Sequence, residues 1–185
     1  DFENELSHSV GLILKSLYYQ QYTDVFGMVP YSEAGDPSIL LPKFDGQKEI
    51  YKGILADLTT AINTIGSSEV TGEGVENLGS NDLYFNGDLQ QWKAFANSLR
   101  LRIAMRALGA TGDDFADGEI NKALSEGLME TGNGAILTKD NAISQWNSSS
   151  YGDIWHRFGG LGSKWKVGQT MINYLRDYDD PRLSI

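Results

Sequence analysis

The sequence predicts an all-α fold of irregular helical repeats with long connecting loops. Three observations carry this. Five segments place apolar residues at three- and four-residue steps, the spacing of one helical face. Most of the 21 glycines gather between those segments, where they break helices and open loops. No segment alternates convincingly as a strand. At 185 residues, 41% apolar and 22% charged, the chain has the composition of an ordinary globular domain or part of one.

The first helix is expected over residues 4–22, with Leu6, Val10, Ile13, Leu14, Leu17 and Tyr18 on its apolar face. A loop over 26–44 follows, punctuated by Gly27, Pro30, Gly35, Pro37 and Pro42. The second helix, residues 46–65, has the cleanest stripe: Ile50, Ile54, Leu58, Ala61 and Ile65, flanked by Tyr51, Leu55 and Ile62. Asp45 is its expected N-cap, with Lys48 where a full capping box has Glu, and Gly66 its expected stop. Residues 67–80 read as a Gly/Ser/Glu-rich loop. The third helix, 89–108, starts after Asp88 as N-cap, buries Trp92, Phe95, Ala96, Leu99 and Ile103, and ends at Gly109. A fourth helix over 114–126 aligns Ile120, Ala123 and Leu124, with Leu128 just beyond. Residues 131–162 read as irregular. A last helix over 164–176 aligns Trp165, Gly168, Met171, Ile172 and Leu175.

Composition excludes several functions. A net charge of −10 with no Lys/Arg cluster opposes a phosphate backbone, so no nucleic-acid role is expected. Without cysteine there are no disulfides, thiolate metal sites or cysteine nucleophiles, and His8 and His156 alone make a histidine metal site a poor reading. No metal or cofactor is expected. No apolar run reaches the length of a membrane span. The chain opens at Asp1 and stops just after Asp180, Pro181, Arg182 and Leu183; both ends read as cut, with targeting information expected outside them.

The paired helices invite comparison with tetratricopeptide units. Ile54, Leu58, Ala61 and Ile62 fit a second helix of such a unit, and Trp92, Phe95 and Leu99 a first. The 26–44 insertion breaks the 34-residue period of that repeat, so the residues alone support an irregular helical-repeat protein.

Four stretches, in order along the chain, resemble one family. YTDVFGMVPYSEA (residues 22–34) resembles the aromatic-Gly-x-Val-Pro-Tyr corner by which SusD/RagB proteins leave a long helix. PKFDGQKEIYKGILADLTTAI (42–62) resembles the helix that follows it. NDLYFNGDLQQWKAFANSLRLRIAMR (81–106) combines the Asn-Gly-Asp turn, the Trp and the Asn-Ser-Leu-Arg-Leu-Arg helix, and is the most specific match. MINYLRDYDDPRL (171–183) resembles the Asp-Pro-Arg ending of a later helix. The resemblance implies irregular tetratricopeptide-type repeats beneath a loop-rich ligand face. It also implies a lipoprotein on the outer surface of the outer membrane of Bacteroidetes-type bacteria, partnered by a SusC-like TonB-dependent transporter. Most members bind glycans and some bind peptides. Family members are several times longer and carry a lipidated N-terminal cysteine that this sequence lacks. Residues 1–185 are therefore expected to be a partial SusD/RagB-like helical domain truncated at both ends.

Several constellations bear on function. Arg100, Arg102 and Arg106 lie on a helix whose opposite face is apolar, with Arg102 and Arg106 one turn apart. In so acidic a protein they are expected to pair with carboxylates of neighbouring helices rather than bind an anion. Asp113, Asp117 and Gly118 superficially match a calcium loop. The count fails, because positions 3 and 12 fall on Phe115 and Leu124, and the acids are better read as first-turn charge on a helix.

The candidate ligand surface is the stretch 145–158. Sugars present apolar C–H faces ringed by hydroxyls, so a sugar site wants aromatic platforms beside amide, carboxylate and guanidinium groups. Trp146, Tyr151 and Trp155 supply rings, and Asn147, Asp153 and Arg157 supply polar groups, in a loop-like segment. The plainer alternative is that Trp155 and Phe158 anchor this loop to the core. Tyr31 is a weaker candidate, because its corner has a structural task. For catalysis, Asp153 with Glu130 or Asp140 would be the carboxylate pair to propose, but no motif singles them out. With no G-x-S-x-G, HExxH or phosphate-cradling loop, a non-catalytic binding protein is expected. The ligand is a glycan or oligosaccharide by the first reading and a peptide by the second. An unrelated helical-repeat scaffold is the remaining alternative.

Overall fold

Asn4 opens the first helix: its Oδ1 accepts the N–H groups of Leu6 and Ser7, both at 3.1 Å, satisfying donors that a helix start leaves free. The computed structural model describes residues 4–68, 78–110, 112–136 and 167–184, which fall in two compact units, Asp1–Leu137 and Thr138–Ile185. In the first unit, α1 (Glu5–Phe26) runs four residues past its expected end and stops at Gly27, whose φ of 74° few side chains tolerate.

The buried face of α1 corrects the sequence reading. Val10 and Ile13 are buried as expected, but Tyr18 is 57% exposed, and Ser9, Ser16, Gln20 and Thr23 complete the stripe. Small polar residues fit there because their hydroxyls are satisfied within the helix. Ser9 bonds to the Glu5 carbonyl, and Ser16 to the carbonyls of Leu12 (2.8 Å) and Ile54 (3.3 Å) on the neighbouring helix.

The 26–44 connection contains what the sequence pattern did not show, a two-residue antiparallel ladder of β1 (Val29–Pro30) and β2 (Phe44–Asp45), with Val29 opposite Asp45. It leads into α2 (Gln47–Ile65), which buries Ile50, Tyr51, Ile54, Leu55, Leu58, Ala61, Ile62 and Ile65 as expected. The N-cap is Gly46, not Asp45. Asp45 is taken instead by the corner before it, accepting the N–H groups of Tyr31 (3.1 Å) and Ser32 (2.7 Å) and the Ser32 hydroxyl (3.0 Å). Gly66 ends α2 at φ 52°, as expected.

A 3₁₀ turn (Gly79–Asn81) precedes α3 (Leu89–Ala107), which Asp88 caps through the N–H groups of Gln90 and Gln91. Trp92, Ala96, Leu99 and Ile103 are buried as expected. So is Arg100, at 1% exposure, although the sequence placed it away from the apolar face. The fourth helix, α4 (Ala116–Glu126), begins two residues late and buries Ala116 and Ala123, whereas Leu124 is 59% exposed.

Pairing fixes the packing. Contacts of Lys15 with Asp57 and of Thr23 with Gln47 set α1 antiparallel to α2. Arg100 with Thr59 and Lys93 with Gly66 set α2 antiparallel to α3, and α4 folds back on α3 through Arg100 with Glu126. The core lies between α1, α2 and α3, where burying a side chain such as Ile54 or Ile103 contributes about 1.5–3 kcal/mol.

In the second unit, α5 (Gln169–Asp177) follows Val167 and Gly168, which the sequence reading had included in the helix. It buries Leu175 and is followed by a 3₁₀ turn (Pro181–Ser184). The Asp-Pro-Arg motif closes on itself there. Asp180 accepts Arg182 Nε at 2.8 Å and a second guanidinium nitrogen at 2.6 Å, which lowers its pKa to about 2. Trp165 lies outside the described residues.

Candidate functional site

The six residues singled out for ligand contact, Trp146, Asn147, Tyr151, Asp153, Trp155 and Arg157, lie outside the described residues, as do Phe158 and His156. What the structure gives is the frame next to them in sequence and three polar assemblies within it.

The corner at Tyr31 is structural. The Tyr31 hydroxyl donates to Asp57 at 3.0 Å, its ring meets Tyr19 edge-on at 4.9 Å, and Lys15 sits 4.9 Å above it while pairing with Asp57 at 2.9 Å. Burial first, then the Asp57 charge, raises the Tyr31 pKa, so the phenol stays a donor. The ring packs against Gly53, where a Cβ would lie 2.6 Å from the Tyr31 hydroxyl, and this close approach explains the glycine inside α2.

The Asn-Gly-Asp turn before α3 is organised by Asp82, a residue the sequence reading left without a role. Its Oδ1 accepts the N–H groups of Tyr84 (2.9 Å) and Phe85 (3.2 Å), and its Oδ2 those of Gly87 (2.8 Å) and the Trp92 indole (2.7 Å). Asn86 and Gly87 sit at φ 52° and 87°, a left-handed pair that Asn and Gly accept most readily. Burial opposes ionisation of Asp82, but these donors outweigh it and hold its pKa below the ordinary carboxylate value. Trp92 in turn contacts Phe85 at 5.0 Å and Tyr84 at 5.6 Å, both edge-on.

The arginines pair with carboxylates of neighbouring helices, as expected for two of the three. Arg100 bonds to Glu126 at 2.9 Å and to Thr59 at 3.0 Å, and lies 3.4 Å from Glu119, tying α2, α3 and α4 together. Arg106 meets Asp24 at 2.8 Å, while Arg102 is exposed. Asp113 does not belong to a calcium loop: its carboxylate accepts the N–H groups of Gly109, Phe115 and Ala116 and so fixes the turn that leads into α4. Among the described residues no group of three His, Cys, Asp or Glu is placed to hold a metal, and no helix is long and apolar enough to cross a membrane.

One cleft of about 380 Å³ opens where the ends of α1 and α3 meet the start of α2. Asp24 anchors it, accepting from Gln20, from the Tyr51 hydroxyl and from Arg106. Lys48 crosses its edge to the Gly112 carbonyl at 2.6 Å. Burial, reinforced by Asp24 and opposed by Arg106, raises the Tyr51 pKa. Sequence reasoning missed this cleft because its members lie far apart in the chain; the one local signal is Asp24, the single charged residue of α1 after Lys15.

Helix pairs of this irregular kind, carrying an aromatic corner and an Asp-organised turn, define an irregular helical-repeat protein. A family model described as starch-binding and associating with the outer membrane matches residues 2–185, and the chain belongs to this SusD-like family. No curated protein matches the chain. Among solved structures, a chitin-binding protein is 32% identical, with a TM-score of 0.72 over 100% of this chain and 37% of its own. A SusD homologue from Bacteroides uniformis ATCC 8492 is 25% identical, with a TM-score of 0.76 over 97% of this chain and 36% of its own. A SusD homologue from Bacteroides ovatus ATCC 8483 is 26% identical, with a TM-score of 0.71 over 97% of this chain and 34% of its own. The chain thus spans little more than a third of the length of these structures. Family membership sets aside the unrelated scaffold considered from the sequence.

Proposed function

We propose that the protein is a non-catalytic nutrient-binding lipoprotein of the outer membrane, facing the cell exterior. In this reading it captures a glycan or oligosaccharide and delivers it to a SusC-like TonB-dependent transporter, and residues 1–185 form part of its helical domain. The observation that supports it most is the family match over residues 2–185, together with a chitin-binding protein 32% identical over all of this chain. The aromatic and polar residues of 145–158 are the proposed contacts: Trp146, Tyr151 and Trp155 as stacking surfaces, Asn147, Asp153 and Arg157 as hydrogen-bonding groups.

The test separates contact from core. An aromatic contact contributes roughly 0.5–1.5 kcal/mol beyond buried area, so Trp146→Ala, Tyr151→Ala or Trp155→Ala should each weaken glycan binding about three- to twelvefold and leave thermal unfolding unchanged. Trp92→Ala is the comparator: that ring is 1% exposed, and truncating such a residue costs about 3–5 kcal/mol of stability. If the three variants instead lowered the melting temperature as Trp92→Ala does and kept full affinity, those rings would be core and the assignment wrong.

A further inference from the structure

We infer that the cleft between Asp24, Lys48, Tyr51 and Arg106 is a second binding site, for a neutral, polyhydroxylated ligand such as a mono- or disaccharide unit. The inference takes its ligand class from the glycan reading above, but it rests on a different part of the chain. The cleft-lining charges are two acids, Asp24 and Asp113, and two bases, Lys48 and Arg106, so the site as a whole is neutral. Each charge already has a partner within the protein. Arg106 meets Asp24 at 2.8 Å, Lys48 meets the Gly112 carbonyl at 2.6 Å and Asp114 at 3.4 Å, and Asp113 accepts three backbone N–H groups. An ionic ligand would meet a like charge beside every counter-charge of the cleft, and to be rid of it would have to exchange one paired partner for another at no gain.

A hydroxylated ligand needs no such exchange. A guanidinium has five N–H donors and an ammonium three, while a carboxylate offers about four acceptor positions, so each paired group keeps capacity for hydroxyls. The Arg106 side chain is 52% exposed and that of Lys48 41% exposed, leaving this capacity within reach of the cleft. The apolar remainder of the lining is Phe115 with Ala107 and Ala110, a ring and two methyl surfaces suited to the C–H face of a pyranose. The volume of about 380 Å³ lies near the lower end of ligand sites, which run from about 300 to 1,000 Å³, and so suits a short unit rather than a long chain. The walls are also preorganised: the Asp24 network and the Lys48 bridge to Gly112 fix the polar groups before any ligand arrives.

The test is amide chemical-shift mapping on the full-length protein titrated with maltotriose and with tri-N-acetylchitotriose, alongside the variant Ala110→Trp, which fills the cleft without removing a polar partner. Saturable shifts at Ala110, Gly112 and Asp113, abolished in Ala110→Trp, are expected. Should that variant fold poorly, Lys48→Met serves instead. It removes the donors while Asp114 keeps Lys52, 3.0 Å away, and should weaken the cleft titration by about three- to tenfold, the scale of one hydrogen bond. Shifts confined to residues 138–166 would overturn the cleft and leave the glycan reading standing. No shift with either sugar would overturn the cleft as a sugar site, and the glycan reading would then rest on the polysaccharide panel alone.

Discussion

Asp82 carries the turn that launches α3, and replacing it with Asn tests that role by removing half of its function. The amide oxygen of Asn retains an acceptor for Tyr84 and Phe85, but its NH₂ group cannot accept from Gly87 or from the Trp92 indole, which bond to Oδ2 at 2.8 and 2.7 Å. A hydrogen bond to a charged group is worth about 1.5–3 kcal/mol, and neighbouring losses are not additive, so Asp82→Asn should reduce stability by about 3 kcal/mol. For a chain of this size that lowers the melting temperature by about 6–12 °C. The pH dependence has a definite sign. The folded-state pKa of Asp82 lies below its ordinary value, so the stabilisation is complete above the ordinary carboxylate pKa of about 3.9 and fades as pH falls through the folded value. Thermal unfolding of wild type and variant should therefore show a constant gap between pH 6 and 8 that narrows below about pH 4. A variant melting within about 2 °C of wild type, less than 1 kcal/mol, would refute the assignment, and so would a gap that acid leaves unchanged.

Two further substitutions test the packing. Arg100→Met removes a buried guanidinium bonded to Thr59 and Glu126, while Glu119 keeps Lys122, and should destabilise by about 3–5 kcal/mol in denaturant unfolding. Adding Glu119→Leu should recover only part of that loss, because Thr59 and Glu126 still lack Arg100; full recovery would mean that the bonds to Thr59 and Glu126 are not what Arg100 supplies. Gly53→Ala should cost about 1–3 kcal/mol through its clash with Tyr31, and Tyr31→Ala should relieve the clash, so that the double variant loses less than the sum of the singles. Strict additivity would show that the close approach is not what keeps position 53 a glycine.

How far the sequence spoke depended on how local the determining forces are. The α2 stripe of Ile50, Ile54, Leu58, Ala61 and Ile65 was legible because large apolar side chains at helical spacing have one place to go. Asp88 was legible as a cap because capping acts within three residues. The α1 face was misread at Tyr18, since Ser16 and Gln20 are buried by hydrogen bonds and close helix approach rather than by hydrophobicity. Asp45 was claimed by Tyr31 and Ser32, more than ten residues earlier, and Arg100 was drawn inward by Glu126 and Thr59; neither competition is visible in a local window. The β1–β2 ladder is two residues on each side, too short to leave an alternating pattern. The cleft joins positions 24, 48, 51 and 106, a proximity that only the fold creates. For 145–158, the chemistry of the residue types is legible, while their arrangement lies outside the described residues.

The central claim, capture of glycan without chemistry, is tested most directly by titrating the full-length protein against parallel panels of soluble polysaccharides and peptides by calorimetry, with chain length of each polysaccharide measured before and after. Saturable binding to at least one polysaccharide, no binding to the peptides and unchanged chain length are predicted. Saturable binding to peptides alone would contradict the glycan reading, and shortened chains would contradict the non-catalytic one.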